Sequence, residues 1–389
     1  MDTKKRISGG YLNLTAANTL YYAGCGVYTY LSVYLRTGPG FTKAQIGILL
    51  ALGQIVASIA PIFWGYLADR SKNRNTIWML VVAGAAVGAL LVPLSRRFLF
   101  VAMALLFVNC FQSSVASLQD SVSSELCKNN GWDLGRSRMA GTLSYAVTTF
   151  LAGVYLAGGD FKMFVVYAAI FALSLVPIAF VPKVPGYQSG GRHVPYRVLF
   201  SEPKLVVVYV VSFFICLTTS FYYSFFSLYF ISPEVGGTTA LFGICNALAS
   251  IAEFPVLLYA SKAIKKWGLT RVMVFSMAML ALRWFLIGLV PDPYALCVIN
   301  TLHGVSYGLI ALCVVLLINE YVRPEFRASG QSFNTMLVYG LTRVIASSCG
   351  GFLSEAFPFA VIFIVLGIVV VVTTAAYFIY LKRRRMLTA

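Results

Sequence analysis

Charged side chains are scarce in this chain, and a few sit where an apolar segment should carry none. Asp120 closes one long apolar run. Arg138 and then Tyr145 open the next, across a short polar loop. A carboxylate and a guanidinium at a membrane boundary are costly unless they pair or face water. As a set they suit a polar solute. A guanidinium presents a planar fork of donors, a carboxylate accepts hydroxyls, and an aromatic face covers the apolar side of a ring. Asp120, Arg138 and Tyr145 are therefore the expected core of a solute-binding site, with a structural ion pair as the alternative for the two charges. Gln112 shares a helical face with Asp120, and Asn18 shares one with Tyr22 in the tyrosine-rich first run. These three are expected to line the same cavity, with plain helix packing and an interfacial belt near Tyr30 and Tyr34 as the alternative for the first run.

A second group of ionisable residues lies in the later runs: Glu253, Arg283, His303 and Arg343. A carboxylate whose Arg neighbour comes and goes can take up and release a proton. Glu253 and Arg283 are expected to form such a pair, with His303 bridging Glu253 to the solute or bonding within the bundle. The acids Asp120 and Glu253 are outnumbered by Arg138, Arg283 and Arg343. That leaves one positive charge, and Arg343, with no obvious partner, becomes the anion-binding candidate for a monoanion such as a sugar acid or an aromatic carboxylate. Glu125, Asp133 and Arg136 belong to the polar loop and are expected to be solvated. There is no metal-ligand spacing, no nucleophile–base set and no phosphate loop. The chain is not expected to be an enzyme or to hold a metal or cofactor; a proton gradient is the expected energy source. The eight scattered Cys read as small apolar packing residues.

The elements that position these groups must be membrane helices. Of 389 residues, 59% are hydrophobic and 11% charged, and the mean hydropathy is +0.81, more than a soluble domain of this size can hide. A span needs roughly 20 apolar residues, and the chain holds about twelve such runs. The fold class is an all-α membrane protein of about twelve transmembrane helices. A net charge of +17 raises nucleic acid as a partner, but the charge alternates from loop to loop. The loops on one side hold most of the Lys and Arg, from Lys4–Arg6 through Arg70, Lys72 and Arg74 to Lys382–Arg385. That asymmetry puts both termini in the cytoplasm of a bacterial-type inner membrane. The expected partners are a small-molecule solute, protons and the lipid bilayer, with the chain as a monomer. The seventh run is dense in Phe and Tyr, either a cavity wall or lipid-facing packing.

Gly65-Tyr66-Leu67-Ala68-Asp69-Arg70, followed by Lys72 and Arg74, resembles the loop signature of the major facilitator superfamily. Gly65 would allow close helix approach, and Asp69, Arg70 and Arg74 would form the conformational gate. The resemblance implies two six-helix bundles that alternate access to a central site: residues 1–182 and 204–389, joined by a cytoplasmic linker at 183–203 that contains His193. A faint repeat agrees. Ala68, Arg70 and Arg74 recur as Ala260, Lys262 and Lys266, and Arg136 recurs as Arg327, at the same interval of about 190 residues. A carboxylate before Gly135-Arg136-Ser137-Arg138-Met139, with an aromatic two turns after Arg138, is similar to the lactose permease branch of proton-coupled oligosaccharide carriers, as is Thr301-Leu302-His303. That branch uses Glu and Trp where this chain has Asp120 and Tyr145. Its own proton-carrying acid falls on Ser306, which leaves Glu253 as the coupling candidate. The resemblance implies proton symport of a glycoside or oligosaccharide. Proton-coupled efflux of amphipathic compounds is the other expectation, from the many aromatics.

Overall fold

The computed structural model describes residues 9–156, 161–186, 202–322 and 327–384. Most of the linker, including His193, lies outside the described residues, as do Lys4–Arg6. The helices are α1 (Gly9–Tyr28), α2 (Leu31–Thr37), α3 (Lys43–Arg70), α4 (Arg74–Leu91), α5 (Phe98–Asn130), α6 (Leu134–Tyr155), α7 (Lys162–Phe180), α8 (Pro203–Phe230), α9 (Thr239–Trp267), α10 (Leu269–Leu289), α11 (Pro293–Asn300), α12 (Leu309–Tyr321), α13 (Arg327–Thr335), α14 (Thr342–Ala356) and α15 (Phe359–Arg383). A 3₁₀ turn at Thr301–His303 and a π-helical turn at Gly304–Gly308 join α11 to α12. A second π-helical turn, Met336–Leu341, joins α13 to α14.

The ends of the helices follow local chemistry. Asn73 caps α4 by accepting from Asn75 N, Asp133 caps α6 by accepting from Arg136 N, and Thr238 caps α9 by accepting from Leu241 N. Gly131, with φ +65°, ends α5 in the left-handed conformation. Among the described residues, nine helices are long and apolar enough to cross a membrane. α1, α6 and the stretch from α13 to α14 fall short of that, and the reason bears on function. Asn18 and Tyr22 lie in α1, Arg138 and Thr142 in α6, and Arg343 in α14. The helices that fall short thus carry about half of the candidate residues, the rest lying in the longer spans.

The chain divides into two compact units, residues 1–41 with 52–191 and residues 42–51 with 192–389. In the first, α1 packs on α6 and α7, and α4 packs on α5 and α7, around the buried Trp78, Phe164, Tyr167 and Phe171. Tyr30 and Tyr34 are buried too: Tyr30 Oη donates to Thr149 O at 2.9 Å, and Tyr34 meets Phe164 edge to face. They are packing residues, not an interfacial belt. In the second unit, α10 packs on α12 and α15, and α8 on α14 and α15. The aromatics of α8 are mostly core and not lipid-facing. Tyr222, Phe226 and Phe230 are buried with Phe242, Trp284 and Phe363, leaving Phe214 and Tyr223 exposed. The first turns of α3 belong to this unit, where Lys43 Nζ donates to Ser354 O at 2.8 Å.

Candidate functional site

The candidate residues fall into two sets, one in each unit. In the first unit Arg138 and Asp120 form an ion pair at 3.0 Å, with side chains 53% and 51% exposed. Exposure in a membrane protein means either lipid or water, and the helix faces decide which. Ser113, Ser117, Asp120, Ser121 and Ser124 share one face of α5. Arg138, Thr142, Tyr145 and Thr149 share one face of α6, and a separate exposed stripe of Met139, Leu143, Val147, Phe150 and Val154 runs along its other side. The apolar stripe suits lipid. The polar one suits water, because hydrocarbon offers an ionised or hydroxyl-bearing face no partner.

Tyr145 lies two turns along α6 from Arg138, half-buried, its Oη 3.1 Å from Thr29 Oγ1. Gln112 lies on the edge of the same side of α5, and its Oε1 is enclosed with no hydrogen-bond partner among the described residues. Asn18 does something other than line a cavity. It is 2% exposed, its Nδ2 donates to Ser137 Oγ at 2.6 Å, and its Oδ1 accepts from Gln119 Nε2. Both ends of the amide are committed. Its bonds fix the residues next to Asp120 and Arg138 in sequence, so Asn18 positions the pair from behind. The ring of Tyr22 is occupied by packing on Gly141, where an added Cβ would meet it. Gln119 and Ser137 were not among the expected site residues; the signal for them was a polar residue directly beside each member of the charged pair.

The loop signature is also built. Arg74 is 5% exposed and bridges two carboxylates, Asp69 at 3.0 Å and Glu125 at 3.3 Å. It also donates to Ser121 Oγ at 3.2 Å. Glu125 is therefore not simply solvated: it ties α5 to the turn between α3 and α4. Asp133 and Arg136 do lie exposed, paired with each other. Arg70 stacks on Tyr66 with its guanidinium 4.4 Å from the ring centre. The close approach expected at Gly65 is not there among the described residues, for no atom of another element lies within 4 Å of where its Cβ would be. Gly65 sits among exposed Ile62, Phe63 and Tyr66, on the open side of α3.

In the second unit the expected Glu253–Arg283 pair is not formed. Arg283 is fully buried, with its Nη1 2.8 Å from His303 Nδ1 and its Nη2 donating to Asn300 Oδ1. Its guanidinium lies 4.6 Å from the Tyr222 ring centre and 5.1 Å from that of Trp284. A guanidinium only donates, so His303 Nδ1 accepts and the ring proton sits on Nε2. That nitrogen is 3.3 Å from Tyr223 Oη, and Tyr223 accepts from it. The Tyr223 hydroxyl hydrogen is then left to donate outward from a side chain 48% exposed. Asn300 was missed in the sequence although it lies one turn before His303. It also accepts from Tyr222 Oη at 2.8 Å and is the buried hub of this network. Glu253 lies instead over the bare backbone of Gly304 and Gly308, within electrostatic range of Arg283 and Tyr223. Arg343 is not without a partner: its guanidinium sits 5.8 Å from the Tyr223 ring centre. A neutral ring carries no counter-charge, so the surplus of one guanidinium over the two carboxylates stands.

A half-exposed ion pair backed by buried amide networks inside membrane-crossing helices marks a functional pathway through the membrane. The chain belongs to the MFS_1-like family of the major facilitator superfamily, whose model matches residues 11–383. It is a multi-pass membrane transporter and not an enzyme. It is 24% identical to the maltose permease of Geobacillus stearothermophilus over 373 residues, covering 94% of this chain and 93% of that protein. It is 21% identical to the sucrose permease of Escherichia coli, covering 97% of both. A crystal structure of the nucleoside transporter NupG matches with a TM-score of 0.83 at 17% identity, over 95% of this chain and 98% of that one.

Proposed function

We propose that this transporter is a proton symporter for a glycoside, working by alternating access of its two halves in a bacterial-type inner membrane, with both termini cytoplasmic. The observation that carries the reading is the Asp120–Arg138 pair, held half-exposed at 3.0 Å on a polar stripe that continues along α6 to Tyr145. An acceptor, a forked donor and an aromatic ring are what a polyhydroxylated ring requires. The likeness to maltose and sucrose permeases points the same way. Glu253 carries the proton, and the Arg283–His303–Tyr223 chain leaves one hydroxyl donor facing outward in the second unit. Efflux of amphipathic compounds fits this less well, because such compounds gain little from an ion pair. The halves run over 1–182 and 204–389.

A second reading takes the glycoside as a nucleoside. Tyr223, His303 and Tyr307 form a group of neighbouring rings in the second unit, a face suited to a flat base. The likeness to a nucleoside transporter structure accords with it. A thermal-shift panel of the purified protein separates the readings. Stabilisation by maltose or sucrose but not by uridine or adenosine supports the first, and the reverse supports the second. Uptake into proteoliposomes under an imposed pH gradient then tests coupling. Uptake that ignores the gradient would overturn symport.

A further inference from the structure

A cavity of about 560 Å³ lies between α8 and α15, both in the second unit. Its walls are apolar almost throughout: Val206, Val210 and Phe214 on α8, Ile368, Val372 and Tyr380 on α15. The two helices run antiparallel, so Val206 and Tyr380 mark one mouth and Phe214 and Ile368 the far end. The eight helical rises from Val206 to Phe214 make the groove about 12 Å long. At this end of α8 and α15 lie Lys204, Lys382 and Arg383, all exposed, and none makes an ion pair among the described residues. Lys204 Nζ lies 5.7 Å from the ring centre of Tyr321. Glu202 and Glu320 share this end, near Tyr321 and Tyr380. The cations outnumber them, since Arg384 is exposed there as well.

An apolar groove in a bilayer does not by itself select a lipid, because an acyl chain leaves equally apolar surroundings to enter it. Selection has to come from the headgroup. Basic side chains at the cytoplasmic end of a groove between helices are what recognises an anionic one. We propose that the α8–α15 groove holds one acyl chain of an anionic phospholipid of the inner leaflet, with its phosphate at Lys204, Lys382 and Arg383. The leaflet assignment rests on the cytoplasmic placement of the termini proposed above; the site itself does not.

Native mass spectrometry of the full chain in detergent tests this without a transport substrate, so its failure is separate from failure of the proposed function. The probes are dioleoyl phosphatidylglycerol and dioleoyl phosphatidylcholine, which share their acyl chains. About tenfold stronger retention of phosphatidylglycerol is expected. The triple variant Lys204→Gln, Lys382→Gln, Arg383→Gln should bring it down to the phosphatidylcholine level. Ala376→Trp, which fills the groove wall, should weaken both while leaving the charges in place. Equal retention of the two lipids, or a triple variant that still prefers phosphatidylglycerol, overturns the proposal. So does equal competition by glycerol phosphate, which would mean an ion site without a chain, or an Ala376→Trp variant that loses self-association and not lipid, which would assign the groove to a second copy.

Discussion

Substitution of Asp120 by Asn separates a binding pair from a structural one, because the two roles differ in magnitude. The Asp120 and Arg138 side chains are each about half exposed while paired at 3.0 Å. An ion pair so accessible contributes at most about 1 kcal/mol to stability. Asn18, Gln119 and Ser137 hold α1, α5 and α6 together behind it by separate hydrogen bonds. Asp120→Asn should therefore shift the melting temperature by only a few degrees. A solute hydroxyl bonded to the carboxylate is another matter. Hydrogen bonds to charged groups contribute roughly 1.5–3 kcal/mol, so the affinity should fall about 10- to 100-fold. Titration calorimetry on the detergent-purified protein, with the solute that gives the largest thermal shift, reads the affinity; the melting curve reads the stability. A variant that melts far lower yet binds as tightly as the parent refutes the argument. Asp120 would then brace the helices and do nothing for the solute.

Asn18→Ala is expected to behave in the opposite way. It strands the buried Gln119 Nε2 and Ser137 Oγ, at about 1–3 kcal/mol for each unsatisfied group, and chemical denaturation should show a clear loss of stability. Gly304 and Gly308 should also part company. A Cβ at Gly304 would lie 2.6 Å from Glu253 Cα, a backbone atom, whereas at Gly308 it would lie 2.9 Å from Glu253 Oε1, the end of a flexible side chain. Gly304→Ala should lower expression and melting temperature, and Gly308→Ala should fold normally with altered dependence of uptake on the pH gradient. Glu253→Gln should retain solute exchange and lose uphill uptake in proteoliposomes; concentration of solute against a gradient by this variant would remove Glu253 from the coupling step.

Composition and hydropathy made the all-α membrane class readable, since nothing soluble hides so much apolar surface. The contact between Asp120 and Arg138 was readable too, because both lie on consecutive helices near one short loop. The partner of Arg283 was not. Arg283 and Glu253 are far apart in sequence, and which neighbours they meet depends on how α9, α10 and α11 are rotated about their axes. Opposite charge suggested Glu253; rotation chose His303 and Asn300, two neutral partners from the next span. The same limit applies to α8, whose rings look alike in a one-dimensional list although most pack inward. Gly65 shows the converse error, where a small residue in a familiar pattern suggested a tight contact that this arrangement does not make.

The serines of α5 have one more consequence. Ser113 donates its hydroxyl hydrogen to Asn109 O at 2.7 Å, and Ser117 to Ser114 O at 3.0 Å. With those hydrogens turned back onto their own helix, the oxygens show lone pairs outward. Under the function proposed above, a solute on this route would meet weak acceptors at Ser113 and Ser117, each easily released, before the ion pair of Asp120 and Arg138. Such a surface wets the route without trapping the traveller, a property that a carrier requires as much as it requires a tight station at the end.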